Sequence, residues 1–201
     1  MNDEDSAMKS RQVVILDPQT RWRSEFEDMG TDLRRILGDT ALRIDHIGST
    51  SVPGLGAKDI IDIQVTVADL GRMTEFVTRM KKAGFLQRGD VHRDNFVGLP
   101  DGTSIELEKK YFREAEGDRR RHMHIRQEGR FNQRYALLFR DYLRQHPEVA
   151  QEYAALKDKL AHQFQHNRPS YMKGKTPFID QVVTLARAEY AYLKERSLNT
   201  H

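Results

Sequence analysis

The chain has 201 residues, 38% hydrophobic and 31% charged, with 33 basic against 30 acidic side chains, a formal net charge of +3 and no cysteine. That length suits one core with an appendage, and the near-balance of charge offers no basic stripe for a long polyanion, so no nucleic-acid partner is expected. Disulfides and thiolate metal sites are excluded, and no apolar run nears the roughly 20 residues that cross a membrane, so the expected setting is cytoplasmic with no membrane contact.

Residues 1–10 read as a loose tail, and Val13 to Leu16 is a short apolar run stopped by Asp17-Pro18. Beyond it Trp22, Phe26, Met29, Leu33, Ile36 and Leu37 recur at helical spacing, and Gly38 ends the helix. Ala41 to Ile47 alternates as a strand, and Ile60 to Val67 is a β-branched strand of the kind buried on both faces. Leu70 to Ala83 is a helix closed by Gly84. The stretch 85–104 is rich in turns, the clearest at Leu99-Pro100-Asp101-Gly102. Ile105 to Phe112 and Arg120 to Arg126 read as an antiparallel hairpin turning at Glu116-Gly117-Asp118, with Arg119, Arg120 and Arg121 as its solvated end. Tyr135 to Gln145, Pro147 to Gln165 and Pro177 to Arg196 carry helical spacing, with a break at Asn167-Arg168-Pro169. The expected fold is therefore α+β: a mixed sheet flanked by helices over 11–128, and a helical extension over 129–201 packed on it as one compact unit.

The loop between the first two strands carries the chemistry. Gly48 allows backbone angles that other residues avoid, and Ser49, Thr50 and Ser51 offer hydroxyls beside successive N–H groups, a concave seat for phosphate oxygens. Lys58 adds a positive charge. Asp62 follows inside Ile-Ile-Asp-Ile-Gln-Val, where an unpaired buried carboxylate would cost on the order of several kcal/mol, so something must compensate it. A carboxylate placed there can hold a divalent cation against the same phosphates. The competing reading is a serine-rich turn with Asp62 paired locally.

The run "HIGSTSVPGLGAKDIIDI", with "HMHIR", "ALLFRDYLRQHPEVAQEYAALKDKLA" and "YMKGKTPFI" further on, resembles the GrpB family of the nucleotidyltransferase superfamily over nearly all of the chain after residue 12. The resemblance implies the polymerase-beta-like fold. It also implies transfer of a nucleotidyl group from ATP or another nucleoside triphosphate to a small acceptor, aided by Mg²⁺ or Mn²⁺. Gly48 and Ser49 match the superfamily's turn and Asp62 its first metal-binding acid. Gln64 stands where the second acid belongs; its amide oxygen is a ligand without charge. In place of a third acid come His122 and His124, two imidazoles on one strand face, suited to a transition metal, to general-base work or to phosphate contact. Glu106 and Glu108 are the nearest carboxylates sharing a strand face.

The candidate metal set is thus Asp62, Gln64, His122 and His124, with Asp62 and His124 as catalytic residues and Gly48, Ser49, Thr50, Ser51, Lys58 and Lys175 holding phosphates. Lys175 lies with Tyr171, Lys173 and Gly174 in a loop or helix start and can reach a phosphate as a point charge. His46 alternates with Leu42 and Ile44 and reads as a site residue or as a satisfied core histidine. Two other classes stay open: a degenerate module that binds a nucleotide or a protein, as in the GrpB-like domain appended to dephospho-CoA kinase, and a histidine-rich metal site of unrelated chemistry. A homodimer also stays open.

Overall fold

The computed structural model describes residues 12–96 and 104–198, with side chains as far as 191. The tail read over 1–10 and the turn at Leu99–Gly102 lie outside the described residues. Helix α1 (Arg21–Leu37) buries Trp22, Met29, Leu33 and Leu37, one stripe of its helical period, and Gly38 closes it at φ 54°, its N–H donating to the Arg34 carbonyl. Strands β1 (Arg43–Ile47) and β2 (Ile61–Val67) pair antiparallel, and α2 (Thr74–Lys82) follows. The sheet is completed by β3 (Leu86–Gln87), β4 (Lys110–Arg113) and β5 (Arg121–Gln127) in the order β1-β2-β5-β4-β3, with β2 and β5 parallel and the other neighbours antiparallel. Helices α3 (Phe131–Gln145), α4 (Pro147–Gln163) and α5 (Arg168–Leu198) form the C-terminal extension. The expected α+β class, a mixed sheet flanked by helices with a helical extension, is what the chain adopts.

Strand alternation gives this sheet two unlike faces. Ile61, Ile63, Val65 and Val67 of β2 join Met123, Ile125 and Phe112 in the core against α1 and α2. The alternate residues, Asp62, Gln64 and Thr66 of β2 with His122, His124 and Arg126 of β5, point the other way, toward the C-terminal helices. Both faces are covered, as expected for β2, but only one is apolar. Beyond the polar face lies a second cluster built from Val52, Leu55, Phe131, Phe139, Leu143, Tyr153, Val182 and Val183. Val13 packs with Leu160, Ala161 and Tyr171, so the first described segment straps α4 to α5. Its N–H donates to the Gln165 carbonyl at 2.8 Å.

The structure corrects the sequence reading at two places. Ile105 is not in a strand: Ser104–Leu107 is a 3-10 turn and β4 begins only at Lys110. Glu106 there accepts the Phe131 N–H at 2.6 Å and Glu108 pairs with Arg130 at 3.1 Å, so both acids serve the start of α3 and not a metal. The last helix begins at Arg168, nine residues before Pro177, so Tyr171, Lys173 and Lys175 are helical. Asn167 supplies its start by accepting the Ser170 N–H at 3.1 Å.

The polar face is held by one acid from the turn-rich stretch. Asp94, 6% exposed, accepts from Arg126 Nε at 2.9 Å and Nη2 at 3.1 Å, from Lys109 Nζ at 2.6 Å and from Asn132 Nδ2 at 3.2 Å. Arg126 Nη1 donates onward to Gln64 Oε1 at 2.7 Å. Asp94→Ala would strand two buried cations, and we expect it to lower the unfolding free energy by about 3–5 kcal/mol in urea titration. A loss under about 1 kcal/mol would show that Arg126 is held by something else.

Candidate metal and phosphate site

The bend after β1 turns on Gly48, at φ 72°, a region that side chains with a Cβ avoid. It also lies against the next strand: a Cβ on Gly48 would sit 2.5 Å from Asp62 Oδ2. The carboxylate therefore opens onto the bend. Ser49–Ser51 form one 3-10 turn, and its hydroxyls divide by role. Ser51 Oγ donates to the Gly48 carbonyl at 2.6 Å, and Thr50 Oγ1 sits 3.0 Å from His46 Nε2 and 3.4 Å from the Ile60 carbonyl it donates to. Both brace the bend and are buried, which removes their side chains from the expected phosphate set. Ser49 keeps a half-buried position facing Tyr153 of α4. From α3, Arg144 donates to the Ser51 carbonyl at 2.7 Å and Arg140 to the His46 carbonyl at 3.0 Å, fixing the loop to the extension.

Parallel pairing sets Asp62 opposite His122 and Gln64 opposite His124. His122 Nδ1 lies 3.0 Å from Asp62 Oδ1 and His124 Nε2 3.9 Å from it, and the three residues offer ligand atoms all within 4.8 Å of one another. This is the compensation that the lone acid requires. Burial pushes the Asp62 carboxyl up, but His122 and His124 outweigh it and hold it well below the usual carboxylate range. Burial in turn lowers His122, and lowers His124 to about 3 with help from the Lys109 ammonium, so both rings are neutral beside an ionised acid, His122 within hydrogen-bond distance of it and His124 just beyond. Asp62 still has 30% of its side chain accessible, so a ligand can reach it.

Gln64 does not join the cluster. It is fully buried, its Oε1 accepts from Arg126 and its Nε2 donates to the Gln133 carbonyl at 3.0 Å. A second oxygen ligand is therefore missing, and a two-ion site does not fit. One carboxylate oxygen with two ring nitrogens fits a single first-row transition ion, Mn²⁺ of the two expected, better than the oxygen-seeking Mg²⁺. Such an ion would take the places of the imidazole protons now turned to Asp62. His124 has a neighbour the sequence did not disclose: Lys109 Nζ stands 3.2 Å from its Nδ1, which directs the ring proton to Nε2.

Lys58 and Lys175 both stand over Tyr171, at 5.5 and 4.8 Å from the ring centroid. Helical spacing puts Arg168, Tyr171 and Lys175 on one face of α5. Among the described residues none of the three cations Lys58, Lys175 and Arg168 forms a salt bridge. Burial, then repulsion from Lys175 and Arg168, lowers Lys58 to about 7, partly offset by attraction to Asp62; burial, opposed by Asp62, lowers Lys175 to about 8. The two lysines expected to meet phosphate are thus brought together on the Asp62 side, and the helix beginning at Arg168 is why. The spacing of Arg168, Tyr171 and Lys175 would have pointed to it, but Pro169 and Pro177 hid the helix. Lys173 is exposed and takes no part. His46 lies on the other face, stacked on Phe26 of α1 with ring centroids 4.6 Å apart. It is the satisfied core histidine.

The arginine cluster is not a solvated end either: Arg119 donates to Glu25 and Asp59 at 2.8 and 2.7 Å, and Arg121 pairs with Asp118 while lying over Phe85.

With this geometry, the comparison with known proteins is informative. The model of the GrpB protein family matches residues 12–185. The chain belongs to the GrpB family. It is 33% identical to the UPF0157 protein YqkA of Bacillus subtilis over 84% of this chain and 46% of that one, and 31% identical to a dephospho-CoA kinase of Mycolicibacterium paratuberculosis over 83% and 44%. The chain thus spans about half the length of the first curated relatives it matches. In structure it is similar to the conserved protein GrpB from Enterococcus faecalis, with TM-score 0.73 and 31% identity over 88% of this chain and 99% of that one. A distant likeness, TM-score 0.48 at 15% identity over 80% and 49%, extends to the Cid1 poly(U) polymerase with Mg 3'-dATP bound. Among the described residues no helix is long and apolar enough to cross a membrane.

Two measurements check this GrpB site. Burial lowers His46 to about 4 from an ordinary 6.5, so its contribution to stability is complete above about pH 6.5 and is lost as pH falls toward 4; in a histidine NMR titration its ring resonance should stay unshifted through about pH 5. Gly48→Ala should destabilise the fold by roughly 1–3 kcal/mol in denaturant unfolding, through backbone strain and contact with Asp62.

Proposed function

We propose that the cleft binds a nucleoside triphosphate, ATP or another, and transfers its nucleotidyl group to a small acceptor. The observation that carries this reading is the Asp62 carboxylate, held ionised by two imidazoles and opening onto the Gly48 bend on the same side as two lysines that form no salt bridge among the described residues. Lys58 and Lys175 meet the triphosphate oxygens as point charges, and the Tyr171 ring between them fixes where those charges stand. Ser49 donates its hydroxyl to a phosphate oxygen at the bend. An ion bound to Asp62, His122 and His124 would supply positive charge at the reacting phosphate. The acceptor oxygen bonds to the α-phosphorus as the bond to the bridging oxygen breaks; pyrophosphate leaves with the electron pair and the acceptor's proton passes to water. The protein's part is positioning and charge, as phosphoryl chemistry generally demands.

A second reading is favoured by Gln64, whose amide is committed to Arg126 and Gln133 where the superfamily's pattern has an acid. In it the same cleft binds a nucleotide without turning it over. Pyrophosphate release separates the two. Asp62→Asn is expected to lower affinity for Mn²⁺ with ATP, and any pyrophosphate release, by at least about a hundredfold while the fold persists; unchanged binding would remove Asp62 from the site. Binding by the wild type with no release across a panel of hydroxyl acceptors would favour the binding module.

A further inference from the structure

Beside the Asp62 cluster lies a cavity of about 240 Å³, lined by Gln12, Val13, Val14 and Leu16 of the N-terminal strap, by Lys58, Asp59 and Ile60, and by Arg120 and Arg168. Its position relative to the cluster follows from strand geometry. The Ile61 N–H donates to the Arg120 carbonyl, so the pairing of β2 with β5 continues backward past the strand ends. Ile60 and Arg120 then stand two residues before Asp62 and His122, on the same face and about 7 Å away along the strands. Its charge is one-sided. The acid in its wall, Asp59, is already held by Trp22 Nε1 at 2.8 Å, Arg119 at 2.7 Å and Arg21 at 2.9 Å. Lys58 and Arg168 form no salt bridge among the described residues, and Arg120 lines the same wall.

We propose that this cavity is a second anion subsite, which seats a phosphoryl group carried by the acceptor and thereby presents the acceptor to the Asp62 cluster. The assignment to the acceptor rests on the nucleotidyl-transfer reading. Size separates the two ligands: the cavity is below the roughly 300–1,000 Å³ of ordinary ligand pockets, too small for a nucleoside triphosphate but ample for a compact oxyanion. Charge favours a phosphoryl group over a carboxylate, because the two cations Lys58 and Arg168 facing one small space are balanced better by a dianion, and a guanidinium binds phosphate oxygens in pairs. Lys58, shared between the cavity and the cleft, then lies between the acceptor's phosphoryl group and the triphosphate.

The test uses the full chain and inorganic phosphate as probe, by isothermal titration, with and without Mn²⁺ and a non-hydrolysable ATP analogue at saturation. Phosphate is expected to bind at one site, with the analogue already bound, and more tightly than acetate. Arg168→Gln should weaken phosphate roughly tenfold, the scale of a lost charge-assisted contact. Val14→Glu, at a half-exposed position on the cavity wall, should weaken phosphate similarly while leaving affinity for the analogue unchanged. Displacement of phosphate by the analogue would overturn the proposal, since the cavity would then be part of the nucleotide's own seat. Acetate binding as tightly as phosphate, or phosphate affinity untouched by both substitutions, would overturn it too. Phosphate binding with the expected losses but no binding of the analogue would instead overturn the nucleotide reading, and with it the acceptor's place here.

Discussion

The arrangement depends on an ionised carboxylate in the middle of a covered sheet. A side chain of that kind is tolerated inside a fold only where its charge is met, and here the partner strand meets it with His122 directly opposite and His124 two residues on along the same face. Parallel pairing of β2 with β5 is what makes that register, since residues opposite one another on the two strands share a face. The glycine bend follows from the same acid. With any Cβ at position 48 the loop would collide with the carboxylate, so the bend and the acid can adjoin this closely only because that residue has no side chain.

Around this centre the charges are arranged in two groups with different partners. Arg126 and Lys109 face Asp94, and the four groups Asp94, Arg126, Gln64 and Lys109 form a closed, buried network that ends on His124. Its role is orientation: Lys109 donates to one ring nitrogen and so decides which nitrogen of His124 is turned to Asp62. Lys58, Lys175 and Arg168 form the other group, which makes no salt bridge among the described residues and whose two lysines lie within the field of Asp62. Amines lowered by burial and by one another are stabilised by any anion that enters, so the cleft carries a positive field toward ligands from a chain whose net charge is only +3. The sparse overall charge therefore says little about the field at the site.

The two halves of the chain divide the work of building it. The sheet supplies the acid and the imidazoles, and the C-terminal helices supply Tyr171, Lys175 and Arg168, while the N-terminal strap packs Val13 against Tyr171 and closes the far side. Arg140 and Arg144 of α3 hold the bend to the extension through the backbone carbonyls of His46 and Ser51.

Much of this was legible in the residues themselves. The α1 stripe, the two flanking strands, the hairpin turning at Gly117 and the bend with Asp62 behind it are local patterns, set by side-chain period and by where glycine alone is at ease. Other features were not legible, for physical reasons that differ. Gln64 looked like a ligand because its position in the strand is right; that its oxygen is taken by Arg126 depends on a residue 62 positions away. Asp94 sat in a turn-rich stretch without periodicity and Lys109 in a run read as strand, so nothing local marked their pairing. Tyr171 to Lys175 read as a loop or a helix start because two prolines interrupt the helical pattern, and in the fold the segment is helical and packs through Tyr171 on α4 and the strap. The sequence by itself determined the elements, the bend and an acid that had to be compensated. Only the tertiary structure decided the compensating groups and which polar side chains stayed available to a ligand, because charge pairing acts through space between residues that the chain order leaves far apart.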